Sequence, residues 1–427
     1  MNCLASIFLD FSLPNATTWA YFSLLLAVAL FFKFTRLVSM RNWDVLALFL
    51  LVPGLLLRQE ANSAAPEGEL RKTPTAAPDG APAPAANGHA LWYAYLALLA
   101  GTGFMFARCL VDLALVRRPA ATANMNLAGL AWLGAALFLA LIAVAARRPV
   151  VGELDAVRWT RGLAIVAHLS VVAALVIIGW RHFQDIHAGM AAATFYLLLP
   201  YTATLFDQLP QVLPMALILW AIALYPWPTF SGLVLGLSAG SMYFPALLLP
   251  VWLSFYGRRG AGRFAGAFAL GALGGMGLMS LLIWLEGPLA DDVQALYNVF
   301  AWQQWKRPTT EGIWIGAHWA YRTPIFVAYA AFAVGTAFWP KPKTLAHLLA
   351  LSAALISGCQ FWLADRGGLY VLWYLPLLLL LTFRPNLIDR EPTAINAETD
   401  WLHRLGRRLQ ALVRRALRVP EPLSPVE

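Results

Sequence analysis

The sequence predicts an all-α, polytopic integral membrane protein of about 12 to 13 transmembrane helices, with a broken helical hairpin near 230–257. The chain has 427 residues, of which 60% are hydrophobic and 12% are charged, whereas a soluble domain carries about 25% charged residues. The apolar residues form successive runs of membrane-spanning length. Because so few charged residues cannot cover a water-facing surface of this size, a soluble enzyme is excluded.

The charge excess lies beside the apolar runs. Lys and Arg total 31 against 22 Asp and Glu, a formal net charge of +9. Short basic clusters beside apolar runs orient membrane proteins, whereas a nucleic-acid binder gathers its basic residues on one surface. We therefore expect membrane lipids as partners and no nucleic acid. The three cysteines lie far apart in sequence, so neither a disulfide framework nor a metal pair is predicted.

About twelve apolar runs are interpreted as membrane helices. They lie at 17–38, 43–57, 91–116, 127–146, 162–180, 190–206, 209–225, 230–257, 262–285, 324–339, 346–364 and 369–383. Lys and Arg favour the cytoplasmic side, and they cluster at the end of the first run, after the third run, before the eleventh run and throughout the tail. We therefore expect a multi-pass protein of the cell membrane, with its N-terminus outside and its C-terminus in the cytoplasm.

One run must turn back on itself, because strict alternation of the runs would place the arginines of 258–263 outside. The run 230–257 is the best candidate, since Pro245 lies near its middle and proline interrupts helices. Two short helices that meet between Met242 and Pro245 return those arginines to the cytoplasm. The arginines of 147–161 still lie in a connection that this topology places outside.

The composition divides the chain into four parts. Residues 1–60 hold the first two predicted transmembrane helices, and 61–88 is an Ala- and Pro-rich linker that we expect to be disordered. Residues 89–383 form the main transmembrane domain, which includes a long outward connection at 286–323. Residues 384–427 form a cytoplasmic tail whose alternating leucines and arginines predict a basic amphipathic helix.

The outward connection at 286–323 is rich in aromatic and basic residues. Flat aromatic rings suit sugars or lipid, and the basic groups can neutralise a phosphate. The alternative is an interfacial helix in the aromatic belt, where Trp and Tyr are common without any binding role. The candidate substrate-binding residues in this connection are Trp302, Trp305, Lys306, Arg307, His318 and Arg322.

A second polar group lies between the sixth and seventh runs. Asp207, Gln208 and Gln211 stand between two apolar helices, where ionisable and amide groups are costly to bury and are candidates for function. Asp207 is a candidate general base or ligand of a divalent cation. The alternative is that Asp207 only caps the helix that begins at Pro210.

Two other charged groups receive structural interpretations. The sequence RHFQDIHAG at 181–189 contains two histidines and an aspartate, but one short loop supplies few tetrahedral ligands, so a polar turn is favoured over a metal site. Arg108 and Asp112 are four residues apart, which is the spacing of an ion pair within one helix.

The strings AGMAAATFYLLLPYTATLFDQ at 188–208 and SGLVLGLSAGSMYFPALLLP at 231–250, with the aromatic and basic outward connection, resemble the multipass GT-C glycosyltransferases of bacterial membranes. The resemblance covers mainly residues 180–325. It implies a polyprenyl-phosphate sugar donor and an acidic residue in the first outward loop that acts as base or metal partner. In this chain Glu60, near a helix end, is the candidate for that acid.

The resemblance therefore implies transfer of a sugar from a polyprenyl-phosphate donor on the outer side of the membrane. Glu60 or Asp207 would act as the base, and Lys306, Arg307 and Arg322 would hold the phosphate. Gln208 and Tyr243 are further candidates for substrate binding, Tyr243 because the family often has a basic residue at its place.

Two non-enzymatic alternatives remain open. One is a lipid- or sugar-binding membrane scaffold without turnover, and the other is a transporter of an amphipathic solute. A transporter is expected to show internal symmetry or charged residues deep in its spans, and neither is evident in the sequence. The scaffold is therefore the stronger of the two alternatives.

Overall fold

The computed structural model describes residues 16–63, 88–114, 128–146, 154–205, 208–284, 313–314, 317–363, 370–385, 387 and 390–392. Within these residues the chain is helical and has no strand, which confirms the all-α prediction. Four helices in this part of the chain are long and apolar enough to cross a membrane. They are Met40–Leu57, Trp92–Leu113, Gly162–Arg181 and Gly260–Leu281.

The helices follow the predicted runs closely. In chain order they are α1 (Ala16–Phe31), α2 (Met40–Leu48), α3 (Val52–Ser63), α4 (Gly88–Ala114), α5 (Ala128–Ala146), α6 (Leu154–Arg181), α7 (Ile186–Leu198), α8 (Pro200–Thr204), α9 (Leu209–Ala223), α10 (Pro228–Ser241), α11 (Leu249–Trp284), α12 (Thr323–Phe338), α13 (Leu345–Cys359) and α14 (Leu375–Phe383). Short 3-10 turns occur at Phe244–Leu248, Trp319–Arg322 and Val371–Trp373.

Two features differ from the prediction. The expected linker at 61–88 is narrower, because α3 continues to Ser63 and α4 already begins at Gly88; residues 64–87 lie outside the described part. The run 190–206, predicted as a full span, folds as two short helices, since proline interrupts it: α7 ends at Leu198 and α8 begins at Pro200. The tail helix expected after residue 392 also lies outside the described residues.

The predicted break in the run 230–257 is present. Helix α10 ends at Ser241, Met242 is extended (φ −154°, ψ 142°) and a new helix starts at Phe244. This return segment, Phe244–Gly257, runs back along α10, because the Tyr256 hydroxyl donates a hydrogen bond of 2.8 Å to the Tyr225 carbonyl, just before α10 begins. The chain therefore reverses direction between α10 and the return segment.

The chain reverses again at Gly257, whose φ of 58° lies in the left-handed region that favours glycine. The rest of α11 then runs parallel to α10. Gly232, Gly236 and Gly240 lie against the backbone of Phe264, Phe268 and Ala272 respectively. Small residues at this spacing let two helix backbones approach closely, so glycines hold α10 and α11 together.

Long helices stand beside short ones. Thr102, midway along α4, contacts Tyr374 at the start of α14 (hydroxyl oxygens 3.1 Å apart). The stretch of α4 from Gly88 to Thr102 therefore rises about 21 Å beyond the start of α14, at 1.5 Å per residue. This height difference positions the candidate site.

Two other pairs of helices also combine a long helix with a shorter neighbour. His168 of α6 lies 2.7 Å from the hydroxyl of Tyr196, near the end of α7, and α6 extends about 21 Å further, to Leu154. Gly240, at the end of α10, lies against Ala272 of α11, which continues about 18 Å to Trp284. Helices α4, α6 and α11 thus each extend beyond a lower platform formed by the ends of the short helices.

Candidate functional site

The platform is built from aromatic side chains. Trp373 lies between two parallel rings, with its centroid 4.0 Å from that of Phe244 and 3.8 Å from that of Tyr370. Tyr374 and Tyr201 are buried beside them, and the turn Val371–Trp373 contacts both α8 and α9. We call Tyr201, Phe244, Tyr370, Trp373 and Tyr374 the aromatic floor. The return segment, the 371–373 turn and α8 each supply part of it.

Buried amides accompany the aromatic floor. Gln211, in the first turn of α9, is 4% exposed, and Gln360, which caps α13, is fully buried. The Oε1 atoms of Gln211 and Gln360 and the Nε1 of Trp373 have no hydrogen-bond partner among the described residues. A buried polar atom without a partner costs about 1–3 kcal/mol. These three atoms are therefore suited to the hydroxyl or carbonyl groups of a bound molecule.

Two predicted substrate-binding residues lie at this level. Gln208 is half-buried and is the N-cap residue of α9, although its side chain makes no capping hydrogen bond. Tyr243 is half-buried and immediately precedes Phe244. The ends of α9 and α10 are joined here, because the Ser238 hydroxyl donates a 2.9 Å hydrogen bond to the Pro214 carbonyl. The structure thus brings Gln208 and Tyr243 to the same end of the helices.

His318 and Arg322 lie in the described end of the predicted outward connection. Ile313 packs against Tyr95 and Leu98 of α4, and the Trp314 indole donates a 3.0 Å hydrogen bond to the Phe361 carbonyl. This segment therefore lies on the floor side of the molecule.

The two side chains differ in surroundings. His318 is exposed, and its Nδ1 accepts a 3.3 Å hydrogen bond from the Ala320 amide, which caps the turn Trp319–Arg322. Arg322 is 1% exposed, and burial lowers its pKa; arginine nevertheless stays charged at neutral pH. Arg322 is thus a buried cation on the floor side, whereas His318 serves the local turn.

The remaining predicted residues lie outside what the structure describes. Glu60 is in helix α3, but its side chain is not described. Asp207, Trp302, Trp305, Lys306 and Arg307 are outside the described residues entirely. Their convergence with Arg322 stays a prediction. Among the residues that the structure does describe, no group of three His, Cys, Asp or Glu side chains is placed to hold a metal ion.

The polar turn at 181–189 stabilises local structure. Asp185 caps α7 by accepting hydrogen bonds from the amides of His187 (2.9 Å) and Ala188 (3.2 Å). His182 is buried with its Nε2 2.7 Å from the Ala223 carbonyl oxygen, and burial lowers its pKa. Asp185 and His182 are each committed to backbone groups, which agrees with the polar-turn interpretation and not with a metal site.

An ionic cluster lies at the opposite end of the same short helices. Arg108 contacts Asp44 of α2 (Nη2–Oδ1 2.7 Å) and Asp112 (Nη1–Oδ1 3.0 Å). Arg384, directly after α14, lies 3.6 Å from the same oxygen of Asp112. Arg41 stands over the rings of Phe31 and Phe383 at 6.0 Å and 5.9 Å. We call Arg41, Asp44, Arg108, Asp112 and Arg384 the arginine end.

Only one part of the arginine end was found from sequence, the Arg108–Asp112 pair. The contributions of Asp44 and Arg384 were missed, although both are at most 5% exposed. An available signal was Asp44 itself, a carboxylate inside the apolar run 43–57, since such a residue usually faces a partner inside the bundle.

Comparison with protein-family models, with curated proteins and with solved structures finds no match for this chain. Its function is therefore inferred from the aromatic floor, the arginine end and the surfaces around them.

Proposed function

We propose that the chain is a multi-pass protein of the cell membrane, with the aromatic floor toward the outside and the arginine end in the cytoplasm. Four long apolar helices support membrane insertion. Arg41, Arg108 and Arg384 come from three separate regions of the chain but lie at one end. Gathering of basic residues at one end fits the cytoplasmic preference of Lys and Arg, and it gives an outside N-terminus and a cytoplasmic C-terminus.

Single cysteines test this orientation. In a variant without the native cysteines, Ala261 and Tyr321 are replaced by cysteine one at a time, since they lie beside opposite ends of the helices. A membrane-impermeant maleimide applied to intact cells should label the Tyr321 position only. Labelling of both positions from the same side contradicts the topology. A third cysteine, at Ala156, tests the connection whose arginines at 147–161 lie outside in this topology, against the usual preference of arginine for the cytoplasm. It should be labelled from outside, as the Tyr321 position is.

For activity, we propose a GT-C-like glycosyltransferase that moves a sugar from a polyprenyl-phosphate donor on the outer side. The observation that carries the proposal is the step between helices: α4, α6 and α11 rise about 18–21 Å above the aromatic floor, and the rising parts of α4 and α11 are apolar. A polar head group would reach the buried amides of Gln211 and Gln360, while its polyprenyl chain lies along lipid-facing helix surfaces. An amphipathic, lipid-linked ligand matches both environments.

The chemistry assigned to the residues follows from the charges of such a donor. Release of the lipid phosphate needs a cation close to the departing oxygen, and Arg322, buried on the floor side, is the described candidate. Lys306 and Arg307 are proposed beside it. Glu60 or Asp207 would accept the proton of the acceptor hydroxyl, and Asp207 is also the candidate ligand for a divalent cation.

Turnover of a radiolabelled polyprenyl-phosphate sugar by the purified protein tests this proposal. Asp207→Asn or Glu60→Gln should lower turnover by about 10²- to 10⁴-fold, the usual contribution of a general base. Asp185→Asn, which alters only the cap of α7 at the other end, is the matched control. Unchanged turnover in both acid variants rules out these catalytic assignments. Donor binding without turnover by the wild type favours the scaffold.

A transporter is the second candidate, because charged residues are buried at the arginine end of two apolar helices. Asp44, Arg108 and Asp112 all lie within segments long and apolar enough to cross a membrane, and such groups often mark transport pathways. Proteoliposomes separate the two functions. Movement of intact labelled donor across the bilayer, without release of its sugar, identifies the transporter and excludes the transferase.

A further inference from the structure

A surface groove opens beside the arginine end. It has a volume of about 890 Å³ and is bounded by the return segment, the end of α12 and the turn that leads into α13. Leu253, Ala337 and Phe338 form apolar walls, and Lys341, Lys343 and Glu391 supply the charges.

Lys343 is buried within this groove. Its side chain is 4% exposed, and its ammonium group donates hydrogen bonds to the Ser254 hydroxyl (2.7 Å) and to the Pro340 carbonyl (3.0 Å). Both acceptors are uncharged, although an ammonium has three protons to donate. Burial, with the neighbouring Lys341, lowers the pKa of Lys343 to about 8. An anion beside this amine would compensate its desolvation.

The charges and surfaces around Lys343 identify the kind of anion. Two lysines face one carboxylate in the groove, Glu391, and the N-terminus of α13 adds a partial positive charge. Phe338 and Trp339 are 67% and 65% exposed beside the groove, as aromatic side chains are at a membrane interface. A phosphate group alone would use the lysines but not the apolar walls, whereas a phospholipid would use both.

We propose that this groove binds an anionic phospholipid of the cytoplasmic leaflet, with the lipid phosphodiester at Lys343 and Lys341 and an acyl chain along Leu253 and Phe338. The proposal rests on the membrane placement above and not on glycosyl transfer. Basic pockets between helices on the cytoplasmic side are typical sites for such head groups.

Native mass spectrometry of the full chain, released from nanodiscs of phosphatidylcholine with one-fifth phosphatidylglycerol, tests the proposal. The wild type should retain one phosphatidylglycerol in preference to phosphatidylcholine. The double variant Lys341→Gln/Lys343→Gln should retain about tenfold less, which corresponds to roughly 1.4 kcal/mol. Equal retention by wild type and double variant overturns the proposal.

A second pair of variants keeps both lysines. Ala337→Trp fills the groove and should abolish the preference for phosphatidylglycerol, while Ala331→Trp adds the same ring to an exposed position of α12 outside the groove and should not. The same loss in both variants overturns the proposal. Inorganic phosphate at millimolar concentration is the last arm: if it displaces the lipid completely, the site belongs to free phosphate. Transferase turnover is measured separately, so its failure leaves this result unchanged.

Discussion

At the aromatic floor, Gln211, Gln360 and Trp373 are buried with polar atoms that lack a partner among the described residues, whereas at the arginine end every carboxylate contacts a guanidinium group. The difference follows from the free-energy cost of burying neutral groups and charged groups. A neutral polar atom without a partner costs about 1–3 kcal/mol, a cost a fold tolerates, but an isolated buried charge costs far more. The carboxylates of the arginine end are therefore each paired, although Nε and Nη1 of Arg384 lack a hydrogen-bond partner among the described residues, whereas the partnerless atoms of the floor are neutral and are open to a ligand. Substitutions at the two ends should accordingly have opposite effects.

The largest effect is expected at Asp112. Asp112→Ala removes the carboxylate shared by Arg108 and Arg384, so it should lower the free energy of unfolding by about 3–5 kcal/mol. Titration with SDS in mixed micelles measures the change. Asp185→Ala, which removes only a helix cap, should cost about 1 kcal/mol. Equal losses of stability in the Asp112→Ala and Asp185→Ala variants would contradict this prediction, because the buried ion pairs would then contribute no more than ion pairs on a protein surface.

A smaller loss in the free energy of unfolding is expected for a substitution where α10 packs on α11. This contact fixes how far the end of α10 lies below the end of α11. A methyl group at Gly236 would collide with the carbonyl oxygen of Phe268, so Gly236→Ala should destabilise by about 1–3 kcal/mol. The same titration applies. Gly274→Ala meets open space on α11 and should be neutral or stabilise by up to about 1 kcal/mol. Changes of the same sign and size in the stability of the Gly236→Ala and Gly274→Ala variants would contradict the close approach of the α10 and α11 backbones.

At the floor, loss of a polar group should stabilise the protein. Gln211→Leu removes a buried carbonyl oxygen that has no partner in the described structure, so the free energy of unfolding should rise by about 1 kcal/mol. Donor affinity, measured by retention of the labelled lipid-linked sugar, should fall in the same variant. A destabilised Gln211→Leu protein would mean that this amide serves the fold, as the arginine end does.

The smallest effect concerns pH at Lys343. Its pKa in the folded protein is about 8, below the ordinary 10.5, so between these values the unfolded chain holds a proton that the folded chain lacks. Stability should therefore rise with pH from about 8 to 10.5, by about 1 kcal/mol, since the amine lines an open groove and its desolvation is incomplete. Unfolding in neutral detergent, compared with Lys343→Met, measures this rise. A parallel pH profile in the variant contradicts it.

The sequence predicted the helical fold and its interruptions well, because apolar length and proline position are local properties. The break after Met242 follows from Pro245 and from the side on which the later arginines must lie. The height of each helix end was not predictable, since it depends on which helices become neighbours: nothing local to Tyr374 shows that it meets Thr102 midway along α4.

The candidate site was predicted only in part for the same reason. Gln208 was singled out as an amide between two apolar helices and Tyr243 through the family resemblance, and the structure places both at the end of the helices where the floor lies. Gln360 and Trp373 were missed, because within their apolar runs they look like ordinary core and belt residues. Arg384 was assigned to a basic tail by charge alone, whereas its contact with Asp112 joins the last helix to α4.

The return segment has a consequence for biogenesis. In the proposed topology its removal would invert every later helix in the bilayer, because α10 and the second part of α11 point the same way. In such a deletion Arg384 would emerge on the face opposite Asp112, and the last ionic contact of the cluster would have no means to form. In the proposed topology, a 14-residue segment that crosses back between two glycine-rich neighbours therefore sets the orientation of every helix that follows it.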